Sequence, residues 1–178
     1  KTQLDRFKSL EANPGTFDED FTKEEGVTAS ATSVWGNSKK FSASKVIDTI
    51  PEGKTYDETY WAPADGETTG SIEINLNGIK KFDVVSIEEY IQKGQTISSF
   101  TVEYKDRTGR WHDFGKGATI SAKRLCRSEA VEGTAVRINI TGAKATPKIC
   151  NVGVYKAAKG FEVESSGSVV LPTNLKKI

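Results

Sequence analysis

The sequence predicts an all-β fold, a sandwich or barrel of roughly eight short antiparallel strands. Three observations carry this. Apolar residues alternate with polar ones in several runs: Ile72, Ile74 and Leu76 around Glu73 and Asn75; Phe100, Val102 and Tyr104 around Thr101 and Glu103; Val136, Ile138 and Ile140 around Arg137 and Asn139. A period of two marks a half-buried strand. Clusters of turn-forming residues recur about every 8–12 positions. No helix-period pattern occurs between residues 26 and 156, which argues against βαβ units.

Taken in order, residues 1–12 read as a short amphipathic helix, with Leu4, Phe7 and Leu10 at a spacing of three and Asn13-Pro14-Gly15 as its stop. Residues 1–19 are thus expected to be a linker or the tail of an upstream domain, and residues 20–156 the sandwich. Val27–Ser30 is the first strand. Trp35–Phe41 is a loop, since Gly36, Asn37 and Ser38 are turn formers. An acidic, turn-rich segment runs from Asp48 to Tyr60-Trp61, with Trp61 expected in the core beneath the loops. Ala62–Gly70 is turn chemistry throughout. Ser71–Leu76 and Phe82–Tyr90 are strands, and Asn77-Gly78 between them is a strong hairpin signal. Phe100–Tyr104, the turn Asp106–Gly109, Trp111–Phe114, Lys123–Arg127, Val136–Ile140 and Ile149–Tyr155 complete the set. Residues 157–178 read as a linker or the start of a following segment, with Val163, Val169, Val170 and Leu171 able to form one more strand.

A chain of 178 residues can bury a core without disulfides or metals. A net charge of +1 gives no overall drive toward nucleic acid or an anionic membrane. No apolar run reaches the length of a membrane span. The lack of any Met reads as a mature or excised chain whose localisation is not written in it. Cys126 and Cys150 are too few for a disulfide framework and are expected to be buried thiols.

Catalytic signals are absent. His112 is the one histidine, so no multi-His metal site can form, and there is no nucleophile elbow, P-loop, H-E-x-x-H or C-x-x-C. Glu88 and Glu89 are neighbours in a strand and point to opposite faces, so they cannot flank one glycosidic bond. Asn139-Ile140-Thr141 fits a glycosylation sequon but lies mid-strand.

The loops carry a different chemistry. Trp35, Asn37, Lys40 and Phe41 share one loop, Asp65 and Glu67 a second; Glu89, Tyr90 and Gln95 edge a third, and Lys123 and Arg124 open a fourth. A sugar stacks its C–H face on an aromatic ring and pairs its hydroxyls with planar polar groups. The alternative is that Trp35 and Phe41 plug the end of the sandwich under a solvated rim. Asp48, Asp57 and Thr59, bent around Gly53, can supply oxygens to a calcium ion. They serve equally well as an ordinary turn whose side chains cap backbone N–H groups.

The order and spacing of Val27–Ser30, Val46–Asp48, Thr59–Trp61, Ser71–Leu76, Phe100–Tyr104, Arg137–Gly142 and Asn151–Tyr155 resemble the discoidin-like (factor V/VIII C-type) domain, the group that includes the family 32 carbohydrate-binding modules. Ser86–Gln95, Ala122–Leu125 and Ala145-Thr146-Pro147 are similar to the module on the C-terminal side of family 29 α-L-fucosidases. The resemblance implies a discoidin-like jelly-roll β-sandwich and an accessory, non-catalytic role beside a glycosidase barrel, outside the cell or in the periplasm. Its partners would be galactose- or fucose-containing glycans and the catalytic domain of the same parent chain. It implies sugar contacts in the loops, which points to Trp35, Asn37, Lys40, Glu89, Tyr90, Gln95 and Arg124. It also implies a structural calcium near Asp48, Asp57 and Thr59, although Thr49 stands where the family usually has Gly, and Asn151 where many sugar-binding members have Glu. Two other roles are compatible with the resemblance: a structural domain packed on the barrel, and an adhesion module binding protein or phospholipid.

Overall fold

The computed structural model describes residues 20–48 and 59–157. The helix expected over residues 1–12, Asp57 and the segment after Ala157 lie outside the described residues. Six antiparallel strands are described: β1 Thr28–Ala31, β2 Gly70–Glu89, β3 Ile97–Lys105, β4 Trp111–Gly117, β5 Arg124–Ala143 and β6 Ile149–Tyr155. Their spatial order is β1-β2-β5-β3-β4, with β6 added on β2. The helical pieces among the described residues are single 3-10 turns, such as Trp35–Asn37, Lys39–Phe41 and Ile91–Lys93.

The count differs from the expected eight because two expected pairs are fused. Ser71–Leu76 and Phe82–Tyr90 lie in one 20-residue strand, β2, and Lys123–Arg127 and Val136–Ile140 merge into the 20-residue β5. Asn77-Gly78 does not turn the chain back. Both residues have positive φ, 55° and 119°, but they form a bulge in which residues 76–79 oppose Thr134 alone, between the pairs Asn75↔Ala135 and Lys80↔Gly133. A bulge bends a strand and increases its twist. The bent β2–β5 ribbon thereby serves two layers: its first half pairs with β1 and β3, its second half with β6.

The alternating residues fill the space between the layers. Ile72, Ile74, Leu76, Val136 and Ile138 are fully buried, joined by Phe82, Phe100 and Trp61. Trp61 is the expected core plug; its indole N–H donates to the Ser33 carbonyl at 3.0 Å. Cys126 and Cys150 are free, buried thiols, and desolvation pushes both up to about 12.

Two carboxylates tie the flanks to one end of β6. The Asp20 carboxylate accepts the Val154 N–H at 3.1 Å, and buried Asp83 accepts the Ala157 N–H at 2.7 Å. The chain therefore enters and leaves the sandwich together, at the end of β6 opposite Ile149.

Candidate functional site

The site is built at that other end, where residue 149 begins β6. Trp61 and Ile149 form an antiparallel bridge, with Trp61 N–H to Ile149 carbonyl at 2.8 Å and the reverse bond at 3.0 Å. Extended backbone alternates its side chains. Trp61 therefore enters the core, while Tyr60 and Ala62 face a separate apolar cluster with Tyr90 and Cys150. The loop from Trp35 to Phe41 wraps this segment: the Trp35 N–H donates to the Ala62 carbonyl at 2.9 Å, and the Ala62 N–H to the Phe41 carbonyl at 3.4 Å. The left-handed pair Gly36 and Asn37, with φ of 58° and 51°, makes that tight return.

The result is a pocket of about 340 Å³ lined by Trp35, Phe41, Tyr60, Ala62, Lys93, Ala145, Thr146 and Lys148. Tyr60 is one of its three aromatic lining residues. It stacks on Tyr90 at 4.8 Å and meets Phe41 at 5.2 Å. Trp35 and Phe41 are half-buried: both line the pocket and both pack against the cluster of Tyr60, Ala62, Tyr90 and Cys150. The Lys93 ammonium reaches the Tyr60 hydroxyl at 3.5 Å. Lys148 is held in place by its carbonyl, which accepts the Tyr90 N–H at 2.9 Å, and its ammonium donates to the Thr146 carbonyl at 3.1 Å. Burial lowers the pKa of Lys148 and the Lys93 charge lowers it further, against an opposing pull from Glu89.

The residues singled out from the sequence fall in different places. Trp35 lines the pocket, and Tyr90 packs behind its Tyr60 wall. The Lys40 ammonium lies 5.5 Å from the Phe41 ring centre, and Asn37 is an exposed turn residue. Gln95 is exposed and accepts from the Ser121 hydroxyl at 3.3 Å. Glu89 is 3% exposed, and one of its oxygens accepts the N–H groups of Thr96 at 2.7 Å and Ile97 at 3.2 Å. Arg124 is buried, its guanidinium 5.1 Å from the Phe100 ring and donating to the Thr119 carbonyl. Asn37, Glu89, Gln95 and Arg124 are not among the pocket's lining residues. Tyr60, Lys93 and Lys148 were not singled out. The available signal for Tyr60 was its place beside Trp61: the neighbour of a core residue in extended chain faces the other way.

A second concavity, about 270 Å³, lies on the outer face of the sheet beside Ser30, Ser71, Glu73, Arg137 and Asn139. Its polar groups largely bond one another. Arg137 pairs with Glu103 at 2.9 Å and covers the Trp111 ring at 4.1 Å, and the Asn139 amide donates to Thr101 and Glu103.

At the expected calcium loop, Asp48 pairs with Lys45 at 3.7 Å. The Lys23 ammonium donates to the carbonyls of Ile47 and Asp48 at 2.7 and 3.1 Å. Thr59 holds a buried hydroxyl oxygen with no hydrogen-bond partner. Among the described residues, no group of three Asp, Glu, His or Cys side chains is placed to hold a metal. No described helix is long and apolar enough to cross a membrane.

Residues 27–153 match the model of the F5/8 type C domain, and the chain belongs to that family. It superposes on a Ruminococcus gnavus GH29 fucosidase solved in complex with fucose, with a TM-score of 0.76 and 38% identity, over 89% of this chain and 31% of that one. A rice (Oryza sativa subsp. japonica) protein provisionally named alpha-L-fucosidase 1 is 32% identical over 140 residues, 78% of this chain and 26% of its own length. The chain spans about a quarter of the curated relatives it matches. A chitosan-binding module of a Paenibacillus chitosanase/glucanase shares the fold, with a TM-score of 0.63 at 20% identity, over 76% of this chain and 97% of that one.

Proposed function

We propose that the chain is a non-catalytic glycan-binding module that accompanies an α-L-fucosidase and holds it on galactose- or fucose-containing glycans. The observation that carries this reading is the half-buried Trp35 lining a concave pocket beside Phe41 and Tyr60. A ring packed away inside the sandwich would have spoken for a purely structural domain. A ring partly open over a pocket is what sugar stacking requires.

The position of the pocket adds support. The first and last described residues, Asp20 and Ala157, are tied at the Val154–Ala157 end of β6, whereas the pocket lies before Ile149. A strand of seven residues puts the two about 20 Å apart. Each single-site contact is weak, and tethering raises the effective sugar concentration at the enzyme.

A structural calcium belongs to the same proposal. Thr59 Oγ1 and the carbonyls of Ile47 and Asp48 are hard oxygen donors suited to this ion. It would have to displace the Lys23 ammonium from those two carbonyls.

The test is titration calorimetry of the chain with galactosides and fucosides. Saturable binding at millimolar sugar, weakened about tenfold in Trp35→Ala, is the expected result. Absence of binding by the folded chain overturns the reading and returns the structural-domain role.

A further inference from the structure

The charged groups among the pocket's described lining are cationic, and its acceptors are the neutral oxygens of Tyr60 and Thr146. Its lining contains two lysines and no Asp, Glu, Asn or Gln. An ammonium can only donate. Neutral sugars present hydroxyls that both donate and accept, and the sites that hold them usually mix carboxylates or amides with the donors. Among the described residues no carboxylate lies within ion-pair distance of Lys93 or Lys148. Glu89 is the nearby acid and its charge acts on Lys148, but it is buried under the loop, with one oxygen held by Thr96 and Ile97, and makes no ion pair with either lysine.

From this lining we propose that the pocket selects glycans carrying an anionic substituent, a carboxylate or a sulfate ester, held between Lys93 and Lys148 while the sugar ring lies against Trp35, Phe41 and Tyr60. The inference rests on the glycan-binding reading and names its ligand class. Burial lowers the Lys148 pKa and the charge of Lys93 lowers it further, so the two ammoniums are near enough for one bound anion to face both. An ion pair beside a desolvated aromatic wall is worth more than one in open water. A protonated amino sugar meets the opposite situation and is excluded.

Calorimetry of the chain with galactose, galacturonic acid, galactose 6-sulfate and glucosamine tests this. Binding of either acidic sugar about tenfold tighter than galactose, with glucosamine weakest, is expected. The carboxylate and sulfate arms identify which anion is preferred. Raising salt to about 0.5 M weakens the acidic sugars selectively. Lys93→Gln and Lys148→Gln each abolish the preference, while Lys81→Gln, an exposed charge removed elsewhere, leaves it. Lys93 is exposed, so its variant folds even if the Lys148 change disturbs the loop. Equal binding of neutral and acidic sugars, or a preference that survives both lysine changes, overturns the inference and leaves the glycan reading standing. Failure of every sugar to bind overturns both.

Discussion

Tyr60 and Tyr90 stack face to face, 4.8 Å apart with 23° between their planes, although 30 positions separate them in the chain. The contact joins the segment leading out of the Asp48 loop to the end of β2. It gives the pocket a rigid wall.

Tyr60→Ala should therefore damage both stability and binding. The ring is 4% exposed, so its removal costs about 3 kcal/mol, read from urea unfolding. Trp35→Ala should separate the two effects. Its ring lines the pocket but is less buried than that of Tyr60, so sugar affinity drops about tenfold in calorimetry while stability falls less than in Tyr60→Ala.

Glu89 should behave as a loop clamp. Glu89→Ala leaves the N–H groups of Thr96 and Ile97 without their acceptor and costs about 2–4 kcal/mol in urea unfolding. Glu89→Gln keeps one acceptor oxygen and recovers part of this. A Glu89→Ala protein of unchanged stability would contradict that role.

Much of this fold was legible in the sequence, because period-two alternation directly encodes which side chains face a core. β1, β3, β4 and β6 lie where the pattern puts them, and Ile72, Ile74 and Leu76 are buried as expected. Asn77-Gly78 misled because positive φ serves a bulge as well as a hairpin; only the continued pairing of β2 with β5 distinguishes them. The site was less legible. Loop membership put Trp35 at the pocket, but it could not tell an outward acid from one folded under its own loop, as Glu89 is. Lys148 and Tyr60 reach the pocket through the Trp61–Ile149 bridge, a pairing across 88 positions that no local pattern announces.

Acid should destabilise the chain in a defined window. The Glu103 carboxyl is held low by its hydrogen bond from Arg137, with Asn139 adding to it. Asp106 is held well below the usual carboxylate range by the Thr108 hydroxyl first, then His112 and the Arg110 N–H. Groups lowered in the folded state contribute stability above their unfolded pKa, about 4, and lose it as pH falls through the folded value. Melting temperature should hold steady down to about pH 4 and fall below it, and Glu103→Gln should flatten part of that fall. A fall that begins near neutral pH would contradict this assignment.

Calcium removal gives a separate reading. If the folded chain alone holds the ion, chelator lowers the melting temperature. Lys23→Met frees the carbonyls of Ile47 and Asp48 and should enlarge the shift that added calcium produces. An unchanged melting curve in chelator, for both proteins, rules out an exchangeable ion.

The central claim is that the pocket walled by Trp35 and Tyr60 is where a sugar binds. The most direct measurement is an indole N–H chemical-shift titration, since the chain has three tryptophans in three settings. Trp35 lines the pocket, Trp61 is sealed in the core, and Trp111 lies beneath Arg137 on the sheet face. Titration with galactose- and fucose-containing oligosaccharides, neutral and acidic, should move the Trp35 signal saturably while those of Trp61 and Trp111 stay in place. A stationary Trp35 signal at millimolar sugar, or a response confined to Trp111, would contradict the account.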